Sequence, residues 1–322
     1  MNEDRKRVLN LLAEGKIDSN QAERLLDALG QSDSVGDDFA TADRPSAVGQ
    51  AERVHVTVEP ETESREGRDH DDSFTVDGPP RLEVENFNGR VEVTGGGPEG
   101  SVRVKAEIGS PDRVDYRLGQ EGNTVRVEAK RKGKLGIFQF IGMSRGNRIT
   151  VTVPTNADLS IHTSNGRITI RNIRGAVFLR TSNGQIKLDD VTGKIDSQTC
   201  NGHIEVVKVS GDVDLNTSNA RITIEESRGT FSAKASNGSI HFDGEFATGS
   251  DNRLTTSNGN VKLKLRGEPS LKVEASTTNG AVGCSLPLAV QGLSGKNHLM
   301  GVIGSGDASV ILKTTNGSIS VD

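Results

Sequence analysis

The chain has 322 residues, 26% of them charged, with a formal net charge of −5 at pH 7. This mild acidity, with no basic stripe, argues against a nucleic-acid partner. Aromatics make up 3% with no Trp, so any core must come from Ile, Val and Leu, and the two cysteines, Cys200 and Cys284, sit in no metal-ligand spacing. No cofactor or metal is expected.

In chain order, residues 1–30 read as a small α-hairpin. Val8, Leu11 and Leu12 share one helical face, and Gly15 is the stop. Asp18 then serves as an N-cap with Gln21 three residues on, as in a capping box. Ala22, Leu25, Leu26 and Leu29 follow at helical spacing, and Gly30 ends the second helix. A hairpin of this size buries too little apolar surface to stand alone. Leu25, Leu26 and Leu29 are therefore candidate oligomerisation residues, meeting a second copy or another protein. The N-terminus lacks the apolar core of a secretory signal, and no run approaches the ~20 apolar residues of a membrane span. The expected location is the cytoplasm, with peripheral association at the inner face of the membrane.

Residues 31–80 are rich in Ser, Asp, Glu, Gly and Pro, and "EPETESREGRDHDD" has no apolar partner. This segment reads as a disordered acidic linker, although "RVHVTVE" at 53–59 alternates like a strand.

From residue 81 onward the chain reads as mainly β, a parallel β-solenoid of ~18–21-residue coils. "TSNGRITI" at 163–170 returns as "TSNGQIKL", "TCNGHIEV" and "TSNARITI". The repeat Asn falls at Asn165, Asn183, Asn201, Asn219 and Asn237, every 18 residues. It falls again at Asn258 and Asn279 after 21, then at Asn316 after 37, a gap that fits about two further coils. An earlier copy, "NFNGRVEV", centres on Asn88. Pairs such as Ile168/Ile170 and Val177/Leu179 alternate with polar residues, the mark of a strand buried on one face. Gly175, Gly193, Gly211 and Gly229 mark the second corner. Asn and Gly at the first corner tolerate φ > 0, and stacked Asn side chains form a structural amide ladder. Residues 81–160 carry strands without a fixed period and read as the irregular start; 161–322 hold the regular repeats.

"RITVTVPTNADLSIHTSNGRITI" resembles the heart of the bacterial putative-adhesin domain, a β-solenoid family of unknown function. "LLAEGKIDSNQAERLLDAL" is similar to the helical domain at the N-terminus of YvlB/LiaX-like proteins. The resemblance transfers no enzymatic residues. It implies a bacterial protein connected with the cell envelope or its stress responses.

Two surface features bear on function. Asp196 and Asp214 occupy the same offset in consecutive coils, an acid pair of the kind glycoside hydrolysis uses. They define the alternative to a non-enzymatic scaffold, a carbohydrate-active β-helix enzyme, although no Arg, His or Tyr is expected nearby on that face to serve as a partner. Four residues after the repeat Asn, Lys187 lies over Glu205 as a cross-coil ion pair. In "KRKGKLGIFQFIGMSRGNR", residues 130–148, apolar residues crowd inside a basic collar. Lys132, Lys134, Ile137, Phe138, Phe140, Ile141 and Arg145 are candidate contacts to an anionic membrane surface or a partner; the bland reading is a cap over the open end of the solenoid.

Overall fold

The computed structural model describes residues 63–132, 146–290 and 295–322. The expected α-hairpin and most of the expected linker lie outside the described residues. The strands among these residues are joined into one mixed sheet.

The N-terminal part holds β1 (Glu63–Arg65), β2 (Asp69–Thr75), β3 (Arg81–Thr94), β4 (Ser101–Glu107), β5 (Val114–Glu121), β6 (Thr124–Arg131) and β7 (Asn147–Thr152). β6 and β7 run parallel to the two halves of β3, forming one coil against it. Beyond that coil the pairing turns antiparallel. β5 and β1 extend one side, and β4 and β2 extend the other.

The segment expected as linker up to residue 80 is thus corrected, because β1 and β2 belong to the sheet. β2, with the sequence DHDDSFT, shows no apolar alternation. It is held by backbone pairing to β4 and by charge, since Asp71 meets Arg103 at 2.7 Å and Lys105 at 3.5 Å. An acidic strand lies on a basic one, and the Arg103 guanidinium holds the Asp71 carboxyl below its ordinary pKa. On the same strand His70 stacks on the buried Tyr116 at 4.6 Å.

The regular stack follows as β8 (Asp158–Arg174), β9 (Val177–Thr181), β10 (Ile186–Thr199), β11 (Ile204–Thr217), β12 (Ile222–Ala235), β13 (Ile240–Phe246), β14 (Asp251–Thr256) and β15 (Val261–Leu265). Every neighbouring pair here is parallel, starting with β3 on β8, and the register is kept except for one shift in β12–β13 between Glu225 and Ser227. Equivalent apolar residues therefore stack into columns. Ile168, Ile186, Ile204, Ile222, Ile240 and Val261 form one column, and all are buried. Burial of each such side chain contributes about 1.5–3 kcal/mol. Where the coil lengthens from 18 to 21 residues, Phe231, Phe242 and Phe246 cluster, with Phe231 edge-on to Phe242 at 5.0 Å and Phe246 stacked on Phe242 at 4.6 Å.

The repeated Thr-Ser-Asn-Gly corner has a separate reason for each of three residues. The Thr points inward, and its hydroxyl donates to the glycine carbonyl of the preceding coil: Thr181 to Gly166, Thr199 to Gly184 and Thr217 to Gly202, each at 3.2 Å. The Asn points outward into the ladder. The Gly is needed for close approach rather than for φ > 0, because a Cβ on Gly184 would lie 1.6 Å from the Gly166 carbonyl oxygen. The left-handed residues stand elsewhere, at Asn172, Asp190, Lys208 and Glu226 (φ 50–56°), and at Gly175, Gly193, Gly211 and Gly229. They form the second corner, which in β10, β11 and β12 is a bend inside a continuous strand.

The C-terminal part holds β16 (Leu271–Asn279), β17 (Val282–Cys284), β18 (Ala289–Val290), β19 (His298–Ile303), β20 (Ala308–Asn316) and β21 (Ile319–Val321). The expectation of two further coils between Asn279 and Asn316 is corrected here. β20 pairs with both β14 and β16, and β21 pairs with both β15 and β17. The last coil in sequence is thus inserted between two earlier ones. The intervening residues run outward as β19, antiparallel to β16, with β18 beside it. Both ends of the parallel stack finish in antiparallel strands.

Candidate functional site

The ladder runs in the spatial order Asn165, Asn183, Asn201, Asn219, Asn237, Asn258, Asn316, Asn279. Each Nδ2 donates to the Oδ1 of the rung before it, at 2.7 or 2.8 Å throughout. Asn88 lies in register with Asn165 but takes no part in this hydrogen-bonded run.

Asp196 and Asp214 are Cα partners on adjacent strands. Asp196 is engaged by a residue that counting equal offsets overlooked. Arg180 donates Nη1 to Asp196 Oδ1 at 2.6 Å and Nη2 to Oδ2 at 2.8 Å. The guanidinium pKa is raised by this pairing, with a smaller contribution from the Asp214 charge. The signal was the period of two, which puts Arg180 on the same face as Phe178, the residue in register with Asp196. Asp214 accepts from the Asn216 side chain two residues along its own strand. A bidentate Arg–carboxylate pair is a strong, oriented contact. It holds Asp196 in an oriented ion pair across the two coils.

The Lys187–Glu205 pair forms at 2.6 Å between half-exposed side chains and contributes less than about 1 kcal/mol. His203, whose pKa is lowered by burial, lies 3.5 Å from the Thr223 hydroxyl. A more enclosed ion cluster occurs at Asp243, 8% exposed, which accepts from Arg266 and, at 2.9 Å, from Lys264. The Arg266 hydrogen bond, aided by Lys264 and opposed by burial, lowers the Asp243 pKa to about 2. This cluster ties the widened coil together.

Of the proposed membrane or partner contacts, Lys132 is described. Its Nζ donates to the Pro111 carbonyl at 3.1 Å. Lys134, Ile137, Phe138, Phe140, Ile141 and Arg145 lie outside the described residues, as do Leu25, Leu26 and Leu29. The flanking basic collar is partly committed within the fold. Lys130 meets Glu85 at 2.8 Å and Glu128 at 3.2 Å, and Arg131 lies 3.7 Å over the Phe87 ring. Among the described residues there is no group of three or more His, Cys, Asp or Glu side chains positioned to hold a metal, and no helix long and apolar enough to cross a membrane.

A parallel stack of short coils, filled with aliphatic side chains and closed at each end by antiparallel strands, defines a repeat-built β-protein. Residues 81–322 match the Toastrack DUF4097 family, and the chain belongs to it. No curated protein matches the chain. Among solved structures, it is similar to a putative adhesin from Bacteroides fragilis NCTC 9343, with 12% identity, 79% of this chain and 97% of that chain covered, and a TM-score of 0.42. A putative adhesin from Parabacteroides merdae ATCC 43184 shows 9% identity, 80% and 97% coverage, and a TM-score of 0.38. A putative lipid binding protein from Parabacteroides distasonis ATCC 8503 shows 13% identity, 80% and 97% coverage, and a TM-score of 0.33.

Proposed function

We propose that the chain is a non-enzymatic β-scaffold connected with the bacterial cell envelope, acting from the cytoplasmic side as a peripheral protein. The observation that carries this reading is the commitment of the stack to architecture. Its interior columns are aliphatic and closely packed, and the carboxylate best placed for catalysis, Asp196, is paired with Arg180. A stack built this way presents repeated faces between its two antiparallel ends. The working contacts are assigned to the two segments whose apolar residues the sequence sets apart. Leu25, Leu26 and Leu29 join copies or a partner protein, and Phe138 and Phe140 with their basic neighbours meet anionic lipid.

One experiment tests both assignments on the full chain. The parent sediments with vesicles of phosphatidylglycerol but not of phosphatidylcholine, and Phe138→Ser with Phe140→Ser loses this while keeping its melting temperature. Deleting residues 1–30 lowers the mass measured by light scattering. A parent that never binds vesicles removes the membrane contact, and an unchanged mass removes the oligomerisation role.

A further inference from the structure

One cavity in the described structure gathers an excess of positive charge. It has a volume of about 470 Å³, and its wall includes Arg68, Arg90, Arg148 and Arg167 with one carboxylate, Glu107. Three of these arginines are in register on adjacent strands, Arg148 on β7 with Arg90 on β3, and Arg90 with Arg167 on β8. Neighbouring strands lie about 4.8 Å apart, so three guanidinium side chains leave one face in consecutive rungs. Like charges placed directly opposite one another repel.

The protein offsets only part of that repulsion. Arg148 meets Glu107 at 3.4 Å, and Arg90 meets Glu92 at 3.4 Å, both pairs being largely open to solvent. Arg68 and Arg167 have no ion pair or side-chain hydrogen bond among the described residues. Four arginines against two carboxylates leave two positive charges in excess.

The ladder adds a second observation. Its amides all donate in one direction, towards Asn165, and a chain of aligned hydrogen bonds polarises along its length. Asn165 accepts from Asn183, but its own Nδ2 donates to no acceptor among the described residues. This donor end of the ladder lies in the wall of the same cavity.

We propose that this cavity is a binding site for a phosphate group, supplied by a phospholipid headgroup or by a soluble phosphate compound. Arg90 and Arg167 provide the planar forks that grip phosphate oxygens in pairs. Arg148 on β7 and Arg68, in the bend between β1 and β2, complete the charge, and Asn165 adds a neutral donor. Phosphate fits better than carboxylate because it offers more oxygens to donors arriving from several strands. The site uses none of the apolar residues assigned to the lipid contact above, so the two can be tested separately.

The test uses the full chain and calorimetric titration with inorganic pyrophosphate in magnesium-free buffer. Parallel sedimentation with phosphatidylglycerol and phosphatidylcholine vesicles separates the two sources. The parent binds pyrophosphate, phosphatidylglycerol vesicles or both. The double variant Arg90→Gln/Arg167→Gln weakens that binding by about tenfold or more. Arg167→Lys, which keeps the charge but loses the fork, weakens it by about threefold, and carries the test if the double variant unfolds. Arg253→Gln, an exposed arginine outside the cavity, leaves binding within about twofold, as expected for a screened distant charge. Pyrophosphate binding places the site's phosphate in solution, and vesicle binding alone places it on lipid. A parent that binds neither probe overturns the proposal, as does equal weakening by Arg253→Gln and the cavity variants. Arginine-dependent pyrophosphate binding that survives Phe138→Ser/Phe140→Ser upholds the site whatever becomes of the membrane contact.

Discussion

At the residue scale, what each repeat Asn contributes depends on its place in space rather than in sequence. Asn201 makes two ladder bonds, to Asn183 and from Asn219. Asn316 also makes two, to Asn258 and from Asn279, although it lies in the last coil of the sequence. Asn279 makes one. The released partners lie at the surface, where water can take them up, so each lost bond costs only about 0.5–1 kcal/mol. Urea unfolding is expected to show similar losses of about 1–2 kcal/mol for Asn201→Ala and Asn316→Ala, and about half as much for Asn279→Ala. Equal losses at all three would leave the ladder without an energetic role. Asp243 supplies a prediction with a sign. Its folded pKa, about 2, lies below an ordinary 3.8. It therefore adds stability that is fully present above about pH 4 and is lost as the pH falls towards 2. Because Arg266 and Lys264 are partly exposed, the contribution is about 1–2 kcal/mol after screening. Asp243→Asn should be less stable by that amount at neutral pH and show a flatter loss of melting temperature between pH 4 and 2. An unchanged acid slope would count against the cluster.

At the element scale, the inserted C-terminal coil gives the clearest expectation. β20 and β21 are the only described strands that join β14 and β15 to β16 and β17 by backbone pairing. Coils in a stack are stabilised by their nearest neighbours. Deleting residues 308–322 should therefore release 271–303 as well, while 158–265 stays folded. Hydrogen exchange would show this as lost protection in β16 and β19 with retained protection in β10 and β11; continued protection of β16 would refute it. The same scale shows where sequence reading works. The strands β8 to β12 were legible because inward and outward residues alternate and the period is fixed at 18. β2 was not, because a strand of Asp, His and Ser carries no apolar pattern. Its place is set by the arginine and lysine of β4, and a partner across the sheet leaves no trace in the local sequence.

At the scale of the whole molecule, the repeat determined the architecture by itself. A Thr that bonds inward, an Asn that bonds along the stack and a Gly that permits close approach recur in most coils, first every 18 residues and then after 21, and parallel pairing is the arrangement that satisfies all three. Even the arginine row was written in the repeat, as "NGR" at 88–90 and 165–167 and "GNR" at 146–148, though nothing local shows that the three copies are adjacent. Tertiary structure alone decided that adjacency, the pairing of Asp196 with Arg180, and the return of the last coil between its predecessors. The Asp196–Arg180 pair joins consecutive coils and turns on a side chain reaching across offsets; the other two share a physical reason. Periodicity fixes which face a side chain takes and how coils stack when they follow one another in order. Strand order departs from chain order at both ends of the described sheet, and there pairing free energy between distant segments, not local pattern, selects the neighbour.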